Sequence, residues 1–220
     1  MMIFIPFSLL LFFLLLLFLP FFFFLVQIEI FRLALSKIGL SPTVAFFIIL
    51  VSLLGSAVNI PLVVKEVNTW RPLPPEIFSL LVPFRMPQMS QQQVIAINLG
   101  GAIIPLLLCL YLLPRAPSLP TFFATVISSL VCFHLSRVVP GMGVTIPAFI
   151  PPLVAVFLAF IFSPGNKIPV AYISGVLGVL IGADLLNLPH LGNYPGVMSI
   201  GGAGVYDGIF LVGIISALLA

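Results

Sequence analysis

The sequence predicts an all-α, polytopic transmembrane bundle of about seven helices, and three observations carry that prediction. Hydrophobic residues make up 62% of the 220-residue chain, charged residues only 6%, and mean hydropathy is +1.36. Ordinary soluble domains carry about 25% charge, because a surface in water has to be met by polar groups; a bilayer removes that demand. The apolar residues fall into successive runs near the ~20 residues that cross ~30 Å of hydrocarbon. The few polar residues in these runs gather toward one end of the predicted helices. The whole chain, 1–220, is read as a single integral membrane domain.

The predicted spans are 3–26, 43–64, 94–113, 119–139, 147–163, 168–186 and 199–220. The first has no basic residues before it and no small-residue cleavage site after it, and it exceeds the ~7–15 residues of a signal peptide's apolar core. It is expected to be a retained helix. Residues 27–40 mix apolar and charged positions and read as an interfacial helix with Glu29, Arg32 and Lys37 toward headgroups. Residues 65–93, with Trp70 at the start as an interfacial anchor, form a loop long enough to cap one face. Pro61 and Pro105 fall within spans, which membrane helices tolerate where neighbours satisfy the freed carbonyl. Asn59 is the expected donor to the carbonyl that Pro61 frees. The last run reaches Ala220, so no soluble domain is expected after it. Lys and Arg divide four against four between the two sets of loops, so the positive-inside rule gives no orientation.

Asn98-Leu-Gly-Gly-Ala102 opens the third predicted span and Ser199-Ile-Gly-Gly-Ala203 opens the seventh, a short internal echo. With seven spans, Asn59, Asn98, His134, Arg137, Asp184, His190 and Asp207 fall on one side. A buried Asp is costly in lipid, about 2.5–3.5 kcal/mol on insertion scales, so this gathering predicts a polar cup open to one face. Asp184 lies near the end of span six, and Asp207 sits ~12 Å down span seven at 1.5 Å per residue. Gly178 with Gly182, and Gly204 with Gly208, are small-xxx-small pairs that let helices approach closely. The two carboxylates are expected to converge. Asp184 reads equally as a solvated interfacial residue, and Asp207 as a partner for Arg137. His134 beside Arg137 reads as an interfacial pair, and His190 as exposed.

Several chemistries lack their residues. Walker A, dinucleotide, HExxH and GxSxG motifs are missing, and no paired His or Cys ligands point to a metal. No cofactor is expected. Cys109 and Cys132, each within an apolar run, read as small buried hydrophobes. The formal charge of +3 comes from scattered Lys and Arg, so nucleic acid is not an expected partner.

The stretches Ser199-Ile-Gly-Gly-Ala-Gly-Val-Tyr-Asp-Gly-Ile-Phe210, Gly182-Ala-Asp-Leu-Leu186, Val58-Asn-Ile-Pro-Leu62 and Ile146-Pro-Ala-Phe-Ile-Pro-Pro152 resemble a family of bacterial and archaeal membrane proteins of unknown function. That resemblance implies the fold and a multi-pass location in the prokaryotic plasma membrane. A looser similarity is to the intramembrane aspartyl proteases of the presenilin and signal peptide peptidase group. That group carries one Asp near the end of helix six and another early in helix seven, a layout matched by Asp184 and Asp207. The group's Gly-x-Gly-Asp is here Gly204-Val-Tyr-Asp207, and its Pro-Ala-Leu element is absent.

That likeness implies a hydrolase in which Asp184 and Asp207 share a proton, one acting as acid while the other activates water. Tyr206 and the backbone of Gly201, Gly202 and Gly204 would position a transmembrane peptide. The alternative is a carrier for a small solute, proton or cation, with Asp207 lining a cavity beside Asn59 or Asn98. So small a carrier calls for a homo-oligomer. A third reading is a non-catalytic assembly protein whose aspartates staple helices to one another.

Overall fold

In the computed structural model, residues 7–69, 89–139, 143–192, 194–202 and 208–220 are described. Among them are seven α-helices: α1 (Phe7–Lys37), α2 (Pro42–Gly55), α3 (Ile104–Leu112), α4 (Ser118–Leu135), α5 (Ile150–Phe162), α6 (Lys167–Val179) and α7 (Gly208–Leu219). Each lies within or overlaps one predicted span, in the predicted order. Three helical stretches are long and apolar enough to cross a membrane: Leu11–Lys37, Ser118–Leu135 and Lys167–His190. By length and composition, then, this is a membrane protein.

The all-α expectation is corrected by five strands among the described residues. β1 (Asn59–Thr69) and β2 (Met89–Asn98) form an antiparallel hairpin, and β5 (Gly196–Ile200) joins β2 in parallel, giving the order β1-β2-β5. A small second ladder pairs β3 (Arg137–Val139) with β4 (Gly143–Thr145). Predicted span two therefore stops being helical at Gly55, and span three becomes helical only after Asn98. Span seven begins as β5, and its helix starts at Gly208. Ile60, Val63, Val64 and Val67 explain β1, because β-branched residues are stiff at χ1 and fit a pleated surface. Hydropathy rates them as it rates leucine, so a span-length window misses the difference.

Pro61 sits in the edge strand β1 at an irregularity in the register between Pro61 and Val63. That is where a strand can hold a residue with no N–H. There is no helical carbonyl here for Asn59 to satisfy, and that expectation is withdrawn. The predicted interfacial helix 27–40 is not separate either. α1 runs unbroken for 31 residues with Pro20 inside it, and Arg32 pairs with Glu29 at 2.8 Å one turn away. The predicted capping loop 65–93 is strand at both ends; Trp70 lies outside the described residues.

α6 is the centre of the bundle. Every residue from Pro169 to Val176 is buried, and α6 packs against α3, α4, α5 and α7. Its glycines set the spacing. A Cβ on Gly178 would stand 2.2 Å from Ser128 Oγ, and one on Gly182 would stand 2.1 Å from the Ser129 carbonyl oxygen. The predicted small-residue pair thus brings α6 against α4, not α7. The α7 contact is made one turn earlier, where Gly175 faces Ser216 and Val212. On the outside, α1 packs on α2 and α7, with Phe31 edge-on to Phe210 at 5.6 Å.

Candidate functional site

The sequence echo turns out to be two neighbours in space. β2 and β5 run parallel, with Ala96 opposite Ser199 and Ile97 opposite Ile200, and each strand leads into a glycine pair. After β2 comes a π-helical turn, Leu99–Ile103, that feeds α3. Asn98 is fully buried and caps this turn by accepting from the Gly101 N–H at 2.7 Å. Its amide donates to the Ser56 carbonyl at 2.7 Å and to Asn59 Oδ1 at 3.0 Å. Ser52 donates to the Gly100 carbonyl at 2.8 Å, so α2 is stitched onto the same turn. Gly100 is required there, because a Cβ would stand 2.0 Å from the Ser52 carbonyl oxygen.

Asn59 Oδ1 also accepts from Ser199 Oγ at 2.6 Å. Asn59 and Asn98 therefore tie the ends of β1, β2 and β5 into one unit. Glycine at 201 is fixed by two constraints: φ is +81°, and a Cβ would stand 2.5 Å from the Cβ of Ala102. The second turn thus packs on the first.

Asp184 arrives from the opposite direction. α6 widens into a π turn, Leu180–Asp184, then tightens to 3₁₀ over Leu185–His190. Such π turns within helices often mark functional sites. Asn187 holds this change of pitch in place: its amide donates to Ser136 Oγ at 2.8 Å and to the Ala183 carbonyl at 2.9 Å. The half-buried Asp184 accepts from the Gly201 N–H through Oδ2 at 3.4 Å. A cavity of about 140 Å³ lies beside it, lined on one side by Val197, Met198, Ser199 and Ile200 of β5 and on the other by Val144 of β4. Buried Gln93 of β2 donates to the Gly192 carbonyl at 3.0 Å.

The cavity therefore joins a carboxylate, a hydroxyl, a glycine turn and residues of β5 and of β2 (Ile95), with room for several waters. Of the predicted site residues, Asn59, Asn98, Asp184, Gly201 and Gly202 come together at the strand ends, with Gly202 lining the cavity. Gly204, Tyr206 and Asp207 lie outside the described residues. Neither histidine lines the cavity: His134 hydrogen-bonds the Leu130 carbonyl through Nδ1 at 2.8 Å, and His190 is exposed. Three site residues escaped the sequence reading. Ser199 stood inside the singled-out Ser-Ile-Gly-Gly motif and was the one to find; Gln93 and Asn187 carry no motif of their own. Among the described residues, no three His, Cys, Asp or Glu side chains meet as a metal site would require.

Residues 53–219 match the family model described as "Protein of unknown function (DUF1614)". No curated protein and no solved structure matches the chain. The matched stretch takes in both glycine turns, Asp184 and every strand, and leaves α1 outside it.

Proposed function

The chain belongs to the DUF1614 family, and from that premise we propose that it is a multi-pass protein of the prokaryotic plasma membrane that hydrolyses transmembrane peptides with Asp184 and Asp207. One observation carries the reading. Among the described residues β5 is hydrogen-bonded only on the β2 side, and four of its successive residues line the cavity that holds Asp184. An open strand edge recognises extended peptide by adding it as a further strand, with main-chain bonds indifferent to side-chain identity. A carrier for a small solute has no use for such an edge.

In the proposed reaction, a peptide lies along β5 with one carbonyl over the cavity. One aspartate takes a proton from water as its oxygen attacks the carbonyl carbon, and the other gives its proton to the carbonyl oxygen. Collapse of the resulting diol breaks the C–N bond: the aspartate that took the proton from water gives it to the leaving amine, and the other aspartate takes a proton back from a diol hydroxyl. Gly201, Gly202, Gly204 and Tyr206 position the strand. Asn59 and Asn98 hold the sheet that presents it. Irregular backbone is tolerated at membrane depth where it lines a watered cavity, which matches a sheet placed beside Asp184.

The carrier reading draws on a different feature. The buried hydroxyls of Thr125, Ser129, Tyr172 and Ser216 have no hydrogen-bond partner among the described residues, and a hydrated path between helices would satisfy them. The two readings separate in one experiment. Purified protein in detergent micelles is incubated with a fluorophore–quencher-labelled model transmembrane peptide. Cleavage is expected, with at least ~10³-fold loss in D184N and in D207N. Absence of cleavage, or cleavage unaffected by either change, overturns the hydrolase. Aspartate-dependent proton flux in proteoliposomes would then establish the carrier.

A further inference from the structure

The opposite end of the bundle from Asp184 holds a second cavity, of about 290 Å³, between the end of α1, the segment after α3 and the start of α6. Lys37, Arg115 and Lys167 all line it, together with Gly39, Gly165 and Asn166, and among the described residues no acidic one does. These three cations come from segments far apart in sequence, so only folding brings them together. Like charges gathered around a cavity repel unless something answers them.

Their existing contacts leave them able to bind. The Lys37 ammonium donates to the Leu218 carbonyl at 2.5 Å, using one of its three donors. Arg115 spends one N–H on the Ile38 carbonyl at 3.2 Å and lies over the Tyr111 ring at 4.1 Å. Its remaining N–H groups form the planar fork that suits phosphate oxygens. Lys167 rests over the Phe160 ring at 3.9 Å. The first turn of the 13-residue α6 also lines the cavity, and no side chain caps it. Asn166, at the capping position, donates its amide to the Arg115 carbonyl at 2.5 Å instead. Uncapped first-turn N–H groups add a further attraction for an anion.

Depth and surroundings narrow the occupant. Lys37 closes the 27-residue stretch Leu11–Lys37, which is long and apolar enough to cross a membrane, and this puts the cavity at one end of that stretch. Exposed Phe160 lies under Lys167, and Leu113, two residues before Arg115, is exposed as well. A cationic hollow edged by apolar surface fits a headgroup whose acyl chains run down the outside of the bundle.

We propose that this cavity binds a phosphate-bearing anion, with anionic phospholipid headgroups as its source in the membrane. The site is independent of the chemistry at Asp184. The test follows thermal unfolding of the purified protein in a neutral detergent at constant ionic strength. Short-chain dihexanoyl phosphatidylglycerol, dihexanoyl phosphatidylcholine and inorganic phosphate are titrated in turn. Phosphatidylglycerol is expected to raise the midpoint saturably, phosphatidylcholine to do so weakly, and phosphate to have little effect. K167Q should weaken the apparent affinity about fivefold, and the K37Q/R115Q/K167Q combination should abolish the shift. K167Q keeps the test decisive if the triple variant fails to fold, because Lys167 holds no backbone carbonyl. An equal rise with inorganic phosphate upholds the phosphate site and makes a soluble anion its source. No rise with either probe, or a rise that K167Q leaves intact, overturns the proposal.

Discussion

At the end of β2, Asn98 turns its side chain inward and caps its own turn, accepting the Gly101 N–H from full burial. At the end of β5, Ser199 hands its hydroxyl to Asn59, and the Gly201 N–H is accepted by Asp184, which belongs to another element. Two stretches that begin alike in sequence are thus satisfied in different ways. The first turn is closed: its polar atoms are used up by α2 and β1, so it works as foundation. The second depends on a carboxylate from outside and borders a cavity. A buried polar network that is fully satisfied rigidifies the fold around it. The functional candidate is the one left dependent on a partner.

That contrast breaks most severely at the first turn. G100A would drive a methyl group to 2.0 Å from a backbone oxygen of α2, and backbone cannot swing aside as a flexible side chain can. The expected cost is about 4 kcal/mol or failure to fold, seen as a lowered unfolding midpoint in detergent or loss of monodisperse protein. N98A comes next. It removes a cap from the Gly101 N–H and a donor from both the Ser56 carbonyl and Asn59, with an expected loss of about 3 kcal/mol from buried groups left unpaired. The matching change at the second turn, S199A, deletes one hydrogen bond from a half-buried site and should cost about 1 kcal/mol. If S199A destabilises as much as N98A, the two turns are equally structural and the contrast fails.

Much of this architecture was legible beforehand. Helices α4, α5 and α6 fall where the apolar runs put them, although α5, at 13 residues, is shorter than a lipid-crossing helix and α6 reaches that length only with the turns that follow it. The strands were not legible, for a physical reason. Hydropathy sums transfer free energies and ignores backbone shape, so Val63 and Val64 in a strand score like leucines in a helix. The clue lay elsewhere, in β-branched residues between Asn59 and Asn98 and in the glycine pairs that follow β2 and β5. The polar cup was half legible: counting helix ends placed Asn59, Asn98 and Asp184 on one face, where hydrogen bonds now connect Asn59 with Asn98 and Asp184 with the second turn. Lys37, Arg115 and Lys167 enter the four-against-four division of loop cations only as votes on orientation. Charge counting gives a side of the membrane, whereas a cavity requires knowing which loop ends touch.

The smallest expected effect is the one that separates scaffold from chemistry. D184N replaces a carboxylate by an amide of the same shape, and the amide oxygen can still accept the Gly201 N–H. That bond is long, at 3.4 Å, and the side chain is half-buried, so this contact itself should contribute little stability. The unfolding midpoint in detergent should move by no more than ~0.5 kcal/mol equivalent, while peptide cleavage collapses. A staple between helices predicts the reverse. Breaking a buried charge pair typically costs 3–5 kcal/mol, because the partner charge is stranded. A drop of that size in D184N would make Asp184 structural and leave the second turn no more functional than the first.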